Sequence, residues 1–469
     1  MVQYLTARIA ASPAIPPEGK RFPFGWSAFA LQPNGELPHL TWDSRMPVET
    51  DCRLRLTVAL DDREEKLVEV VLAESGQHIA TVDLRYADFL QTFEVVLAET
   101  DTRRVRTEGI VLRLTQGTTP LYLFHSLNVE MPDLLSPHLL IGESKDRWTA
   151  FQNRLCSLDS LEPFGWHEGC VLDGLTDLAQ TFPESNAATA IYQHLGKFLS
   201  DTGELVYEDP HSSIHDGRIY GIECTLPFAT IARFYPEHRL LTLATLFWKE
   251  RIARHGAVAD GKTITAEGMY TVAYPMAVLA RQRGNESLAL AAVHELRMRR
   301  ERLLVGDDLY LRFNAVTGER TFRNWSRGVA WYLLGLVRTL IVLEGQPNLS
   351  DVQEELERVA QWVVGYQSEG LWHCYLDDSD TRPETSGSAG IAAALALGVQ
   401  SGLLDPELRL YAEQTRTALL PYLTPDGLLT GVSQSNKGGE VLQQSRYRVI
   451  KKTGMGLVGI LLAALGADR

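Results

Sequence analysis

Residues 384–401 read ETSGSAGIAAALALGVQS. Past its polar opening the stretch is apolar nearly all round and built from Ala, Gly and Leu, which suits a helix enclosed on every side by close neighbours. The next stretch, residues 405–422, spaces its apolar residues at helical intervals and keeps a charged face, the pattern of a surface helix. Working outward, the pairing recurs. Small-residue apolar segments fall at about 168–182, 219–234, 266–282, 326–344, 384–401 and 451–466, and amphipathic ones at about 146–158, 186–203, 236–255, 285–303, 350–367 and 405–422. An outer ring of polar-faced helices around an inner ring of small-residue helices is an (α/α)6 barrel, the closed relative of helical solenoids.

Each inner segment is entered through residues that a buried helix does not need: Trp166-His167-Glu168, Tyr220-Gly221-Ile222-Glu223, Glu267-Gly268-Met269-Tyr270, Trp325-Ser326-Arg327-Gly328, Glu384-Thr385-Ser386-Gly387-Ser388, and Arg446 to Lys452. In such a barrel all inner N-termini open at one end, so these residues converge on one funnel. The positive ends of the helix dipoles aim into it, which suits a carboxylate ligand.

Glu223 and Glu267 sit in first turns, where acids commonly cap helices. Two carboxylates across an apolar-walled cavity are also the equipment of acid–base sugar chemistry, because burial or mutual repulsion keeps one protonated. Arg327 either pairs with a nearby acid or forks a ligand carboxylate, while Trp325 and Trp331 either pack or offer a flat platform to a sugar. Glu384, Ser386 and Ser388 read equally as a helix cap and as a polar cluster for a ligand. Trp166 and His167 precede the first inner helix. Trp372 and His373 precede Leu376-Asp377-Asp378 on an expected rim hairpin. His211 and His215, with Asp209 and Asp216, have a spacing that hints at metal, but no second ligand set joins them, so no metal is expected. No GxGxxG follows a strand, and there is no P-loop and no GxSxG, so no cofactor is expected either.

The first part of the chain alternates instead. Cys52-Leu54-Leu56-Val58-Leu60 puts apolar residues on one face and Arg53, Arg55 and Thr57 on the other; Phe93-Val95-Leu97 and Ile110-Leu112-Leu114 repeat the scheme. Short, evenly spaced half-buried strands predict an antiparallel β-sandwich over residues 1–130, a linker over 131–145, and the barrel over 146–469.

The chain has 469 residues, 45% hydrophobic and 22% charged, and a formal charge of −14. That field repels nucleic acid and anionic membranes. The basic residues Arg327, Arg446, Lys437, Lys451 and Lys452 fall near the inner-helix entrances, so an acidic small ligand stays compatible. The 5 cysteines are odd in number and far apart, as expected of reduced thiols in a cytoplasmic protein. No apolar run reaches membrane-spanning length.

The helical part resembles the unsaturated glycuronyl hydrolases, glycoside hydrolase families 88 and 105, including unsaturated rhamnogalacturonyl hydrolases. The resemblance rests on Asn324-Trp325-Ser326-Arg327-Gly328 with Trp331, on Gly370-Leu371-Trp372-His373 with Leu376-Asp377-Asp378, on Glu384-Thr385-Ser386-Gly387-Ser388-Ala389, and on Trp166 with Gly169 and Asp173. It covers about residues 145–469. It implies removal of a non-reducing-end 4,5-unsaturated uronate from lyase-derived oligosaccharides: an acid protonates C4, water adds at C5, and the hemiketal opens and expels the aglycone. It places the proton donor at Glu267 and its partner at Glu223, both Glu where the family has Asp; random loss would more often give Ala, Asn or Ser. It implies that Arg327, with Arg446 or the Lys451-Lys452 pair, holds the carboxylate, that Trp166, Trp331 and Trp372 stack on the sugar, and that Tyr220, Tyr270, His167, Trp325, His373, Glu384, Ser386 and Ser388 line the site. Leu311-Arg312-Phe313-Asn314 stands where the family has a substrate histidine, so Arg312 is its substitute. Hydrolysis of a saturated glucuronide and non-catalytic sugar binding remain as alternatives, and a homo-oligomer remains open.

Overall fold

The computed structural model describes residues 2–42, 52–125 and 131–466. The expected boundary at residue 130 lies outside them.

Alternating apolar residues build two larger antiparallel sheets in the N-terminal part, beside a two-stranded one of Ala28–Leu31 and Leu121–Phe124. One runs, strand by neighbouring strand, Gln3–Thr6, His138–Ile141, Cys52–Thr57 and Thr92–Leu97; the other runs Arg8–Ala10, His39–Thr41, Ile110–Gln116, Glu65–Leu72 and His78–Arg85. Leu54 and Leu56 of the first, and Val68, Val70, Leu112 and Leu114 of the second, are buried; each such side chain contributes roughly 1.5–3 kcal/mol. Gly76, at φ +70°, turns the chain between Glu65–Leu72 and His78–Arg85. Two expectations change here. The stretch read as a linker contains the strand His138–Ile141, which pairs with Cys52–Thr57. The face carrying Arg55 and Thr57 is covered rather than solvated: Arg55 is 1% exposed, because the helical part packs on it and supplies Asp426. One helix, α1 (Glu99–Glu108), was not signalled, since Val105 is the one large apolar residue it buries.

The helical part runs α2 (Arg147–Leu155), α3 (Trp166–Thr181), α4 (Ala187–Phe198), α5 (Pro227–Phe234), α6 (Leu240–His255), α7 (Tyr274–Arg283), α8 (Glu286–Leu303), α9 (Ser326–Val342), α10 (Ser350–Val364), α11 (Thr385–Gln400), α12 (Arg409–Leu419), α13 (Gly439–Gln444) and α14 (Lys452–Gly466). Helix α3 packs on α5, α5 on α7, α7 on α9, α9 on α11, α11 on α14, and α14 back on α3, which closes the inner ring. Small residues make the closure feasible. A Cβ on Gly456 would lie 2.2 Å from the Cys170 carbonyl oxygen, and one on Gly174 2.3 Å from that of Gly456. The outer helices bury one stripe, as α10 does with Val352, Leu356, Val359 and Val363.

Against the expected start at 219, α5 begins only at Pro227, after a one-turn 3-10 helix over Ile222–Thr225. Proline favours the first turn of a helix, where it has no N–H to leave unpaired. Strands Thr263–Thr265, Asp308–Asn314 and Arg320–Arg323 add a small sheet between α6 and α9.

The N-terminal part docks on the entrance end of the ring. Lys452, the first residue of α14, donates to the Leu90 carbonyl at 2.9 Å, Gln434 to that of Arg85 at 2.9 Å, and Tyr447 to that of Asp83 at 3.0 Å.

Candidate active site

At the docked entrance lies a cavity of about 210 Å³, walled by Trp166, His167, Tyr220, Glu223, Cys224, Asp260, Glu267, Trp325, Arg327 and Lys437, and also by Arg63 and Asp88 of the N-terminal part. It is smaller than the ~300–1,000 Å³ usual for drug-sized ligands. One sugar ring matches it better than a chain does.

The two glutamates meet there. Strand Thr263–Thr265 delivers Glu267 to the entrance, and a π-turn over Met269–Ala273 follows it, a widening of the helix often found at functional sites. Arg299 fixes this entry: its Nε donates to the Thr265 carbonyl at 3.1 Å and its Nη2 to that of Val258 at 2.6 Å. A Cβ on Gly268 would strike the Arg299 guanidinium at 2.2 Å. Glu223 comes from the 3-10 turn over Ile222–Thr225, and the Ile222 N–H of that turn donates to Asp260 Oδ2 at 3.2 Å. The Glu223 and Glu267 carboxyls lie within hydrogen-bonding reach of each other. Burial, then repulsion from Glu267 and Asp260, pushes Glu223 well above the usual carboxylate range; Arg312 opposes this without cancelling it. Glu223 therefore holds its proton more firmly than an ordinary carboxyl. Arg312 is the cross-strand partner of Thr265, close to Glu267 in the chain path, and it does not stand in the cavity wall.

Trp166, His167, Tyr220, Trp325 and Arg327 share the wall with the pair. Burial, aided by Lys451, lowers the His167 pKa to about 4, so its ring is neutral. Arg327 lies 5.5 Å from the Trp166 ring and 4.6 Å from that of Trp325, and its Nη1 and Nη2 donate to the carbonyls of Ser433 and Gln434, both at 2.8 Å. Its fork is thereby engaged within the protein, and the buried Nε has no partner among the described residues.

Other residues expected at the site stand elsewhere. Tyr270 is buried, donates to Asp173 and stacks on Trp331 at 5.8 Å, so both rings belong to the core. Trp372 is fully buried, with Nε1–H donating to the Val363 carbonyl at 2.8 Å. His373 bonds through Nδ1 to the Thr381 carbonyl. Glu384 caps α11, accepting from the N–H groups of Ser386 (3.1 Å) and Gly387 and from Ser386 Oγ (2.6 Å), while Ser388 Oγ accepts from the Trp372 N–H at 2.9 Å. These are the capping and packing uses that the same letters also allow. Arg446 is exposed and outside the cavity wall. Lys451 and Lys452 are buried; Lys451 Nζ lies 2.6 Å from Asp88 Oδ2. Asp209 accepts from the His211 and Ser213 N–H groups and Asp216 pairs with Arg21, so this loop is held by its own bonds.

The sequence reading missed Asp88, Arg63 and Asp260. Burial works to raise the Asp88 pKa, but Lys437, Lys451 and His167 outweigh it and hold the carboxyl well below its usual range. Burial raises Asp260. The turn dipeptide Asp260-Gly261 was the one local signal for the latter; nothing near Arg63 or Asp88 marks them.

A profile of Glycosyl Hydrolase Family 88 matches residues 143–466. The unsaturated rhamnogalacturonyl hydrolase YesR of Bacillus subtilis (strain 168) is 33% identical over 144 residues, 30% of this chain and 40% of that protein. An unsaturated 3S-rhamnoglycuronyl hydrolase of Alteromonas sp. (strain LOR) is 29% identical over 167 residues, 34% of this chain and 39% of that protein. The matches thus span about 40% of the length of these curated relatives. Among solved structures, a possible GH105 member from Salmonella enterica aligns with a TM-score of 0.58 at 16% identity, over 73% of this chain and 100% of that one. An unsaturated glucuronyl hydrolase from Bacillus sp. GL1 aligns with a TM-score of 0.50 at 17% identity, over 69% and 95%. These two share the helical fold. With the profile covering most of its length, the chain belongs to Glycosyl Hydrolase Family 88.

Proposed function

We propose that this chain releases a 4,5-unsaturated uronate from the non-reducing end of lyase-derived oligosaccharides by hydrating its enol ether. One observation carries the reading: Glu223 and Glu267 come together at the wall of a cavity sized for one sugar ring, where burial and the neighbouring Glu267 favour the protonated form of Glu223. The pair gives that proton to C4. The cation developing at C5 takes up water, whose proton returns to the pair. The hemiketal opens to a ketone at C5, and C1 then releases the second sugar as its alcohol. Glu223 holds the proton at rest, so the pair acts as the acid, rather than Glu267 alone. Trp166 supplies the apolar wall beside the ring.

Displacement on a saturated uronide needs carboxyls about 5–5.5 Å apart for retention or about 6.5–9.5 Å for inversion. Two carboxyls within hydrogen-bonding reach are closer than either. A sugar-binding protein without catalysis would have no use for an enclosed acid pair of this kind. All 5 cysteines are unpaired, which favours a reducing, cytoplasmic setting. We read the two larger N-terminal sheets as a sandwich capping the barrel.

The test follows the ultraviolet absorbance of the unsaturated uronate in lyase-generated oligosaccharides. Wild-type protein bleaches it, and Glu267→Gln is slower by about 10²–10⁴-fold, the usual contribution of a positioned acid. A stable chromophore with release of saturated glucuronate would overturn the reading.

A further inference from the structure

The outer wall of the cavity is not made by the barrel. Arg63 lies between strands Cys52–Thr57 and Glu65–Leu72 of the N-terminal part and stands at the cavity rim with His211 and Tyr220. Its Nε donates to Asp61 Oδ2 at 2.6 Å, and its Nη2 donates across the domain seam to the Pro210 carbonyl at 2.7 Å. These bonds pin the guanidinium. Nη1 takes part in neither.

Behind Arg63 the charges alternate into the protein. Asp61 meets Lys437, Lys437 lies 2.5 Å from Asp88, and Asp88 lies 2.6 Å from Lys451. Arg63, Lys437 and Lys451 against Asp61 and Asp88 leave one positive charge in excess in this row, and it falls at the solvent end, where the Arg63 side chain is 41% exposed while those of the other four are at most 9% exposed. A rim guanidinium with one carboxylate partner is open to a charge-assisted hydrogen bond to an arriving anion. Three cations line the cavity: Arg63, Arg327 and Lys437. Arg327 gives both Nη groups to backbone carbonyls, and Lys437 already faces two carboxylates. Arg63 is the one that pairs with a single carboxylate and keeps an Nη free at the rim.

We propose that Arg63, supplied by the N-terminal domain, is the residue that anchors the carboxylate of the substrate uronate. The barrel then provides the acid pair and the apolar wall, and the docked domain provides recognition of charge. The inference rests on the hydration reading above and adds to it a contact outside the family's own segment.

The experiment uses the full chain and two disaccharides that share the unsaturated uronate, one with the free carboxylate and one with it methyl-esterified. Wild-type protein is expected to prefer the acid by about 10- to 100-fold in kcat/KM, the range of a charge-assisted hydrogen bond. Arg63→Gln removes the preference by slowing only the acid, and Arg63→Lys restores part of it, which separates recognition from misfolding. Arg327→Gln keeps the preference. An Arg63→Gln protein that still favours the acid, or loss of the preference in Arg327→Gln with Arg63→Gln unaffected, overturns the assignment. If wild-type protein consumes neither disaccharide, the hydration reading fails by itself. Calorimetric binding of the same two compounds then decides on Arg63 by the same comparison, and absence of binding to both overturns it.

Discussion

Asp426→Ala should loosen the seam on which the site depends. Asp426 belongs to the barrel and is buried under the N-terminal sheet, where Arg55 forks it with Nη1 at 2.6 Å from Oδ2 and Nη2 at 2.7 Å from Oδ1. Arg154 of α2 also reaches Oδ2, and Tyr4 donates its OH to the same oxygen at 3.2 Å. Breaking a buried ion pair by removing one partner costs about 3–5 kcal/mol. Arg55 keeps Glu94 at 2.8 Å and Arg154 keeps Asp159 at 2.9 Å, so neither cation is left bare. The expected loss therefore sits at the lower end, about 3 kcal/mol, or roughly a hundredfold in the docking equilibrium. Asp426→Asn, which keeps the shape and an acceptor, should lose less. Because two domains need not unfold together, amide hydrogen exchange in strand Cys52–Thr57 is a better measure than a single midpoint. The variant should exchange there faster, and its KM should rise because Arg63 and Asp88 reach the cavity only while docked. Burial alone would raise the Asp426 pKa, but Arg55 and Arg154 outweigh it and hold the carboxyl far below the usual range. The latch is thus present above the ordinary carboxylate range and fails only toward strong acid. Unchanged protection of Cys52–Thr57 in Asp426→Ala would refute the reasoning.

Glu162, 1% exposed, accepts from the Lys452 N–H at 2.8 Å, and burial raises its pKa from 4.5 to about 7. Its folded state holds the proton more tightly than the unfolded chain, so about 3 kcal/mol of stability present below pH 4.5 is lost as pH rises through about 7. Thermal melts across this range should slope less in Glu162→Gln, and parallel curves for the two proteins would sink the idea. Gly456→Ala places a Cβ 2.2 Å from the Cys170 carbonyl oxygen, a backbone atom with nowhere to retreat; overpacking of this kind costs typically about 1–3 kcal/mol, and an unchanged Tm would count against a closed ring. Glu223→Gln should slow bleaching of the unsaturated uronate as severely as Glu267→Gln does, and a variant at wild-type rate would exclude the pair as the acid.

The inner and outer helices were legible because burial leaves its mark on periodicity. A helix such as α11, buried along nearly its whole length, can be apolar all round, whereas α10 must keep a polar face. The late start of α5 was less visible, since Pro227 and the Asp260 carboxylate beneath Ile222 override an apolar run that reads as helix from 219. Within the site, Glu223 and Glu267 were legible because a carboxylate at each of two neighbouring entrances has few uses. Trp372, Glu384 and Ser388 were misplaced because a cap or a core tryptophan at a helix entrance has the same letters as a ligand contact. Arg55 shows the limit of local pattern most clearly. Alternation put it in solvent, and its partner Asp426 lies 371 residues away in the chain.

That limit bears on how the site handles charge. Lys437 and Lys451 read from sequence as free cations around an anion funnel in a chain of net charge −14. Docking changes their count: Asp61 and Asp88 arrive from the N-terminal domain and pair with them, while Arg63 arrives with one positive charge more than the carboxylates cancel. A barrel entrance with two unpaired lysines would attract anions of any valence. The docked entrance keeps Arg63, a guanidinium paired with a single carboxylate, at the rim beside a cavity sized for one ring. A monoanionic sugar acid satisfies both conditions, a neutral sugar forgoes the Arg63 contact, and a polyanionic end group meets Asp61 and Asp88 behind the first contact. If Arg63 anchors the carboxylate as proposed, selectivity for singly charged end sugars belongs to the seam between the domains, and it should weaken together with the Asp426 latch.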